Sequence, residues 1–168
     1  MLKLNPVHTD DESFLYELYA STRKMELLAW GWDDAMQHHF LNMQWNSQRM
    51  SYAAQFPDGD HRLVLWEQQP AGRLFIFRNS QAIILVDIAL LPEFCNRGIG
   101  GMLIVDLQTE ARNADLPLRL QVQTSNPARR LYARHGFTIT FEDELYLQME
   151  WRAVENASEK VGEVTHNE

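Results

Sequence analysis

The stretch PEFCNRGIGGMLI, Pro92 to Ile104, decides how the rest of the chain is read. It follows an apolar, β-branched run, Ala82 to Leu91, broken by one charge at Asp87, and leads into a segment in which Ile99, Leu103 and Leu107 recur at helical spacing with Met102 beside them. The pattern predicts a strand, a glycine loop and a helix. Gly98, Gly100 and Gly101 lack a Cβ, so backbone there can come close to a ligand. The helix behind them offers unpaired N–H groups and the positive end of its dipole, a natural seat for phosphate. Two common phosphate loops do not fit. The dinucleotide fingerprint needs a glycine where Leu103 stands, and the Gly-Lys-Ser/Thr of the nucleotide loop is absent.

Outward from this stretch the periods alternate. Leu2 to His8 reads as an edge strand, with Pro6 keeping it from the centre. Thr9 and Asp10 can cap a first helix carrying Phe14, Leu15, Leu18, Tyr19, Thr22 and Met25 on one face. Asp33 can cap a second, longer helix with the stripe Met36, Phe40, Met43, Ser47, Met50 and Ala54, ended by Pro57-Asp58-Gly59. Arg62 to Gln68 and Arg73 to Asn79 are expected to form a hairpin around Gln69-Pro70-Ala71-Gly72. Leu118 to Thr124 is a further strand. A short helix then opens at Ser125-Asn126-Pro127 and stops at Gly136, and two strands, Phe137 to Phe141 and Leu145 to Trp151, close the domain.

The expected class is α/β (α+β): one mixed, twisted sheet of about seven strands with helices on both faces, in the order β-α-α-β-β-β-α-β-α-β-β. The domain spans residues 1–152, and residues 153–168 read as a polar C-terminal tail.

Composition narrows the function. The chain has 168 residues, 45% apolar and 23% charged, enough for one domain with a substantial core. With 15 basic and 23 acidic residues, a formal charge of −8 and no Lys/Arg cluster, nucleic acid is not an expected partner. No apolar run approaches the ~20 residues of a membrane span. The start lacks a signal-peptide core and the single cysteine cannot form an internal disulfide, so a cytoplasmic location without membrane contact is expected.

A second run, NPARRLYARHGF from Asn126 to Phe137, complements the glycine loop. Together, loop and run resemble the coenzyme motifs of the GNAT superfamily of N-acetyltransferases. Gly98 and Gly100 match the glycines of that family's pyrophosphate loop, and Cys95 replaces its usual Gln or Arg. The resemblance implies acetyl-CoA as cosubstrate and no metal. It implies coenzyme contacts from Ile88, Ala89 and Leu90 at the strand end, from Cys95, Asn96, Arg97, Gly98, Ile99, Gly100 and Gly101 in the loop, and from Asn126, Ala128, Arg129 and Tyr132 in the later run. The implied reaction is direct attack of a primary amine, of a small molecule or peptide, on the thioester in a ternary complex.

That chemistry needs a donor for the leaving thiolate and a base for the amine. The expected donor is Tyr132, which otherwise reads as a core tyrosine beside Leu131 and Phe137. Asp87 reads equally as the base or as a hydrogen-bonded structural aspartate; Glu26 is a second candidate. Some relatives carry a glutamate where this chain has Ile84, so the base does not come with the motif. The alternative is a catalytically inactive coenzyme-binding regulatory or scaffold module. The resemblance also allows a homodimer, and an exposed last strand would suit one.

Overall fold

The computed structural model describes residues 1–154. Strands β1 (Leu2–Pro6), β2 (Asp60–Trp66), β3 (Gln69–Arg78), β4 (Ile83–Leu90), β5 (Leu118–Gln123), β6 (Thr138–Glu142) and β7 (Tyr146–Trp151) form one sheet in the order β1-β2-β3-β4-β5-β7-β6. Helices α1 (Glu12–Ala29) and α2 (Asp34–Gln55) join β1 to β2, α3 (Ile99–Ala114) joins β4 to β5, and α4 (Ala128–Arg134) joins β5 to β6. The expected element order is the observed one. All pairings are antiparallel except β4 with β5. A parallel pair needs a crossover, and α3 supplies it. The expected tail lies almost wholly outside the described residues.

One core lies between the sheet and α3. Ile99, Leu103, Ile104, Leu107 and Ala111 pack there on Val64, Leu74, Ile76, Ile83, Leu85, Leu118 and Leu120. On the opposite face α1 buries Leu15, Leu18 and Leu27, and α2 buries Leu41 and Trp45. This corrects the stripe expected for α2. Met36, Met43 and Met50 are exposed, as is Met25 on α1, and the sheet-facing side of α2 is instead Leu41, Trp45, Gln48 and Tyr52. Methionine and tryptophan are both apolar, so helical spacing alone could not say which of two semi-apolar stripes meets the sheet.

The hairpin turn is also corrected. It lies at Glu67-Gln68, whose φ values of 48° and 68° are those of a tight hairpin turn. Gln69 to Gly72 belong to β3. Pro70 is tolerated because the ladder shifts there: Leu65 faces Pro70 and Val64 faces Gly72, which leaves Ala71 as a bulged extra residue. Gly72 is required by a close approach, since a Cβ there would fall 2.0 Å from the Ala89 carbonyl oxygen of β4. Finally, the last strand is not an edge. β7 lies between β5 and β6, and the outer strand is β6, with Ile139 and Phe141 exposed.

A second bulge shapes the centre of the sheet. Ile76 faces Leu85 but Phe75 faces Asp87, so Val86 is the extra residue. Strand side chains alternate, and one inserted residue reverses the alternation. Ile83 and Leu85 therefore point into the α3 core, whereas Asp87, two residues on, shares the α1/α2 face with its neighbour Phe75. Past the bulge Ile88 and Leu90 again meet the α3 core. β4 and β5 pair only from Ile83–Leu118 to Leu85–Leu120. Beyond Leu85 the two strands are no longer paired and splay apart. Among the described residues, no helix is long and apolar enough to cross a membrane.

Candidate active site

The splay, the glycine loop and α4 meet at the ends of β4 and β5. After Leu90 a single 3-10 turn, Pro92–Phe94, leads into the loop. Asn96 (φ 60°) and Gly98 (φ 81°) are both left-handed, an alternation that turns successive N–H groups toward one side. None of the backbone N–H groups of residues 96–101 meets an acceptor among the described residues. A Cβ on Gly98 would touch nothing within 4 Å, so the space over the loop is open. Six consecutive free donors at the start of a sixteen-residue helix suit a pyrophosphate.

The other two glycines do different work. A Cβ on Gly100 would stand 3.1 Å from Leu131 Cδ2, and one on Gly101 would stand 3.5 Å from the His135 ring. They let α4 lie against the first turn of α3, and Gln108 Nε2 donates to the His135 carbonyl (2.7 Å) further along. This contact brings both sequence motifs to one place. Cys95 Sγ turns back toward the carbonyls of Leu91 and Leu90, at 3.5 and 3.7 Å. The Arg97 guanidinium lies over the Phe94 ring at 5.4 Å.

Across the splay, Asn126 Oδ1 accepts from the Ala128 N–H (2.9 Å), which caps α4 and fixes the asparagine side chain at its start. The guanidinium of Arg129 donates to the Thr124 carbonyl (3.0 Å) at the end of β5. Ala128 packs against the α3 core. On the β4 side, Ile88, Ala89 and Leu90 follow the last β4–β5 pair, so their β5-facing backbone has no strand partner.

Tyr132 is buried, 5% exposed, beside Phe137 with ring centroids 5.7 Å apart, so part of its role is core packing. Its hydroxyl makes no hydrogen bond among the described residues. Burial, and secondarily the Asp87 charge, raise the phenol well above its ordinary pKa, so it holds its proton.

Asp87 is ion-paired. Arg73 donates to its Oδ2 from Nε (2.8 Å) and from a second guanidinium nitrogen, while Oδ1 accepts no hydrogen bond among the described residues. Arg73 is only 5% exposed. It also reaches Gln48 Oε1 (2.7 Å) and lies against the faces of Trp45 and Tyr52. Burial, and then the Asp87 charge, push Tyr52 up to about 12. Glu26, the other candidate base, is taken by Arg23 (2.8 Å) on α1.

Arg73, Tyr52 and His61 border the site together with Trp45; the sequence offers Trp45 as a pocket or packing residue, but the other three were not legible in it as site residues. The available signal is Arg73 itself, an arginine set in the run Ala71 to Phe77. With Phe75 they line a cavity of about 900 Å³ between the sheet and α2, closed on one side by Leu15 and Glu12 of α1. The cavity is beside the splay, on the Asp87 side, and does not include the glycine loop.

A sequence-family model described as an acetyltransferase (GNAT) domain matches residues 58–139, from just before β2 into the start of β6. Residues 58–139 are thus a GNAT domain. Solved structures agree in fold. The PaiA N-acetyltransferase of Thermoplasma acidophilum, in complex with coenzyme A, has a TM-score of 0.68 at 15% identity, over 91% of this chain and 99% of that one. The N-acetyltransferase PseH of Campylobacter jejuni, in complex with acetyl coenzyme A, has 0.57 at 18%, over 92% and 100%. An acetyltransferase from Thermus thermophilus has 0.65 at 17%, over 91% and 97%. No curated protein matches the chain by sequence. Among the described residues of this GNAT domain, no three His, Cys, Asp or Glu side chains gather as a metal site.

Proposed function

We propose that this GNAT domain is an N-acetyltransferase that moves the acetyl group of acetyl-CoA to a primary amine by direct attack in a ternary complex. The observation that carries the reading is the row of six free N–H groups at residues 96–101, opening on the splay that Tyr132 and Asp87 border. The crystallised relatives that hold coenzyme A or acetyl-CoA support it.

In this reading the N–H groups from Asn96 to Gly101 hold the pyrophosphate, and Asn126, Ala128 and Arg129 flank the pantetheine arm. The unpaired backbone of Ile88 to Leu90 receives it along the open strand edge. A backbone N–H there also stabilises the carbonyl oxygen as charge develops on it, worth a few kcal/mol when it acts as an oxyanion donor. The acceptor arrives as an ammonium and gives up one proton to Asp87 Oδ1, directly or through water. The freed nitrogen attacks the thioester carbon, the new C–N bond forms, and the C–S bond breaks. The departing sulfur takes the Tyr132 proton and leaves as the thiol. The second proton of the nitrogen then restores Tyr132 by way of solvent, so one proton is released per amide formed.

A pKa raised by burial suits a group that must arrive protonated. The rival reading, a coenzyme-binding module without catalysis, draws on the Arg73–Asp87 pair, which occupies one oxygen of the carboxylate beside the splay.

The test is calorimetric titration with acetyl-CoA, followed by thiol release with an amine panel. Gly98→Trp is the blocked-loop control, because position 98 is open whereas bulk at Gly100 would strike α4. Tyr132→Phe should keep acetyl-CoA affinity and lose about 10²-fold or more in kcat, a typical loss for an acid catalyst. Binding without turnover on any amine would establish the inactive module instead.

A further inference from the structure

Arg73 stands between the splay and the cavity on the α1/α2 face: it touches Asp87, and it lines the cavity. A guanidinium carries five N–H donors in one plane. Nε and Nη2 direct theirs to Asp87 Oδ2 and Gln48 Oε1. Nη1 meets no acceptor among the described residues. It is not sealed from solvent either, since the one buried side-chain atom among them without a partner is His61 Nε2. A cation whose side chain is 6% exposed therefore keeps two donors for the open space that it borders. Such donors on a buried charge call for an explanation. The rest of the lining has the same sign. Arg49, half-exposed, also lines the cavity, and its guanidinium and that of Arg73 lie 5.7 and 5.5 Å from the centre of the Trp45 ring. Glu12 is the only carboxylate among the lining residues, and Arg49 already pairs with it. In a chain of formal charge −8, a cavity with two guanidinium groups and one engaged carboxylate attracts anions. Much of the remaining lining is apolar, from Val7, Leu15, Met50, Ala53, Phe56 and Pro57. At about 900 Å³ the cavity is of the size that takes a small organic molecule whole.

We infer that this cavity is the acceptor pocket and that the acceptor is a free α-amino acid with a large apolar side chain, its carboxylate on Arg73 Nη1, its side chain in the cavity and its amine toward the splay. The inference rests on the acyltransferase reading above. A planar guanidinium pairs with carboxylates along more than one edge. Arg73 holds Asp87 on one edge and offers the acceptor another, so an α-ammonium one carbon from the carboxylate is directed to the Asp87 side. Arg73 also faces Ala89 across the β3–β4 ladder, level with the β4 backbone that has no β5 partner and receives the thioester in that reading. Charge decides against a plain amine. An ammonium alone would approach a buried guanidinium with nothing to offset the repulsion, and Nη1 would stay unmatched. The zwitterion sets each of its charges against the opposite member of the Arg73–Asp87 pair. Transfer follows the steps above with the α-amine as nucleophile, and the products are the N-acetyl amino acid, coenzyme A and one proton.

The experiment measures thiol release from acetyl-CoA with methionine, phenylalanine and tryptophan as acceptors, each beside its amide, and with phenethylamine, putrescine and a capped lysine peptide. At least one amino acid should exceed its amide and all three carboxylate-free amines at least tenfold in kcat/KM. The amide is the less basic amine and holds more free base at neutral pH, so a preference for the acid does not come from amine reactivity. Arg73→Gln should bring the ratio of acid to amide near unity while acetyl-CoA affinity, read by calorimetry, is unchanged. Ala53→Trp, at an exposed α2 position on the cavity wall, should raise the KM of the amino acid tenfold or more with the same acetyl-CoA affinity, and it decides the pocket should Arg73→Gln fail to fold. Equal use of acid and amide, preference for a carboxylate-free amine, a ratio that Arg73→Gln leaves unchanged or a KM that Ala53→Trp leaves unchanged overturns the inference while the acyltransferase reading stands. Failure of acetyl-CoA to bind, or binding with no turnover of any acceptor, brings down both.

Discussion

Removing the Asp87 carboxylate should destabilise the domain far more than its partly exposed position suggests, because the cost falls on Arg73. The guanidinium is 5% exposed and is satisfied by two donations to Asp87 Oδ2, one to Gln48 and the two ring faces. In Asp87→Ala only Gln48 and the rings remain. Stranding one partner of a buried pair costs about 3–5 kcal/mol. The Asp87 side chain is 25% exposed, so water can reach part of the gap, and the lower end of that range is expected. For a domain of this size a loss of about 3 kcal/mol is a fall of roughly 6–12 °C in Tm. The decisive comparison is the double variant Arg73→Met/Asp87→Ala, which removes the charge together with its partner. Urea denaturation should then show a coupling of about 2 kcal/mol, the pair costing less than the sum of its single changes. A single Asp87→Ala cost below about 1 kcal/mol, or strict additivity in the double variant, would refute the argument that Asp87 holds a buried charge in place.

Three further outcomes are expected. Burial, and secondarily the Arg73 charge, lower His61 to about 4, against the opposing pull of Asp87 and Asp60. The native state thus prefers the neutral ring: this stability is fully present above the unfolded value near 6.5 and is lost as pH falls from there toward 4. About 2 kcal/mol is involved after allowance for partial exposure, and His61→Phe should flatten that part of the stability–pH curve. Gly72→Ala should prevent stable folding, because its Cβ would collide with the Ala89 carbonyl, whereas Gly98→Ala, strained only by its positive φ, should cost about 1–2 kcal/mol in a thermal melt. Cys95→Gln, which restores the side chain usual at that loop position, should tighten acetyl-CoA binding about fivefold by calorimetry, the equivalent of roughly 1 kcal/mol for one hydrogen bond.

The element order, the strand–loop–helix unit and the resemblance to the GNAT coenzyme motifs were all legible in the letters. They depend on local signals: the switch from period two to helical spacing, the glycines at 98, 100 and 101, and the run from Asn126 to Phe137. Those signals act over a few residues, and nothing distant can alter them. What the letters could not carry is anything settled by parity or by partnership. The bulge at Val86 reverses which face Asp87 occupies, and in a strand apolar at every other position no alternation reveals it. The side of α2 that meets the sheet was chosen by the ring volume of Trp45 against Arg73, not by its methionine stripe. The hairpin turn moved to Glu67-Gln68 because the bulge at Ala71 absorbed the proline.

The sequence by itself determined that this chain would build a glycine loop between the end of a central strand and a helix, since spacing and residue type suffice for that. Only the tertiary structure decided that Asp87 would be tied to a buried arginine and share its sheet face with Phe75 and His61. Those residues come from separate strands, and their meeting depends on register, which is a property of pairing between strands and not of any one of them.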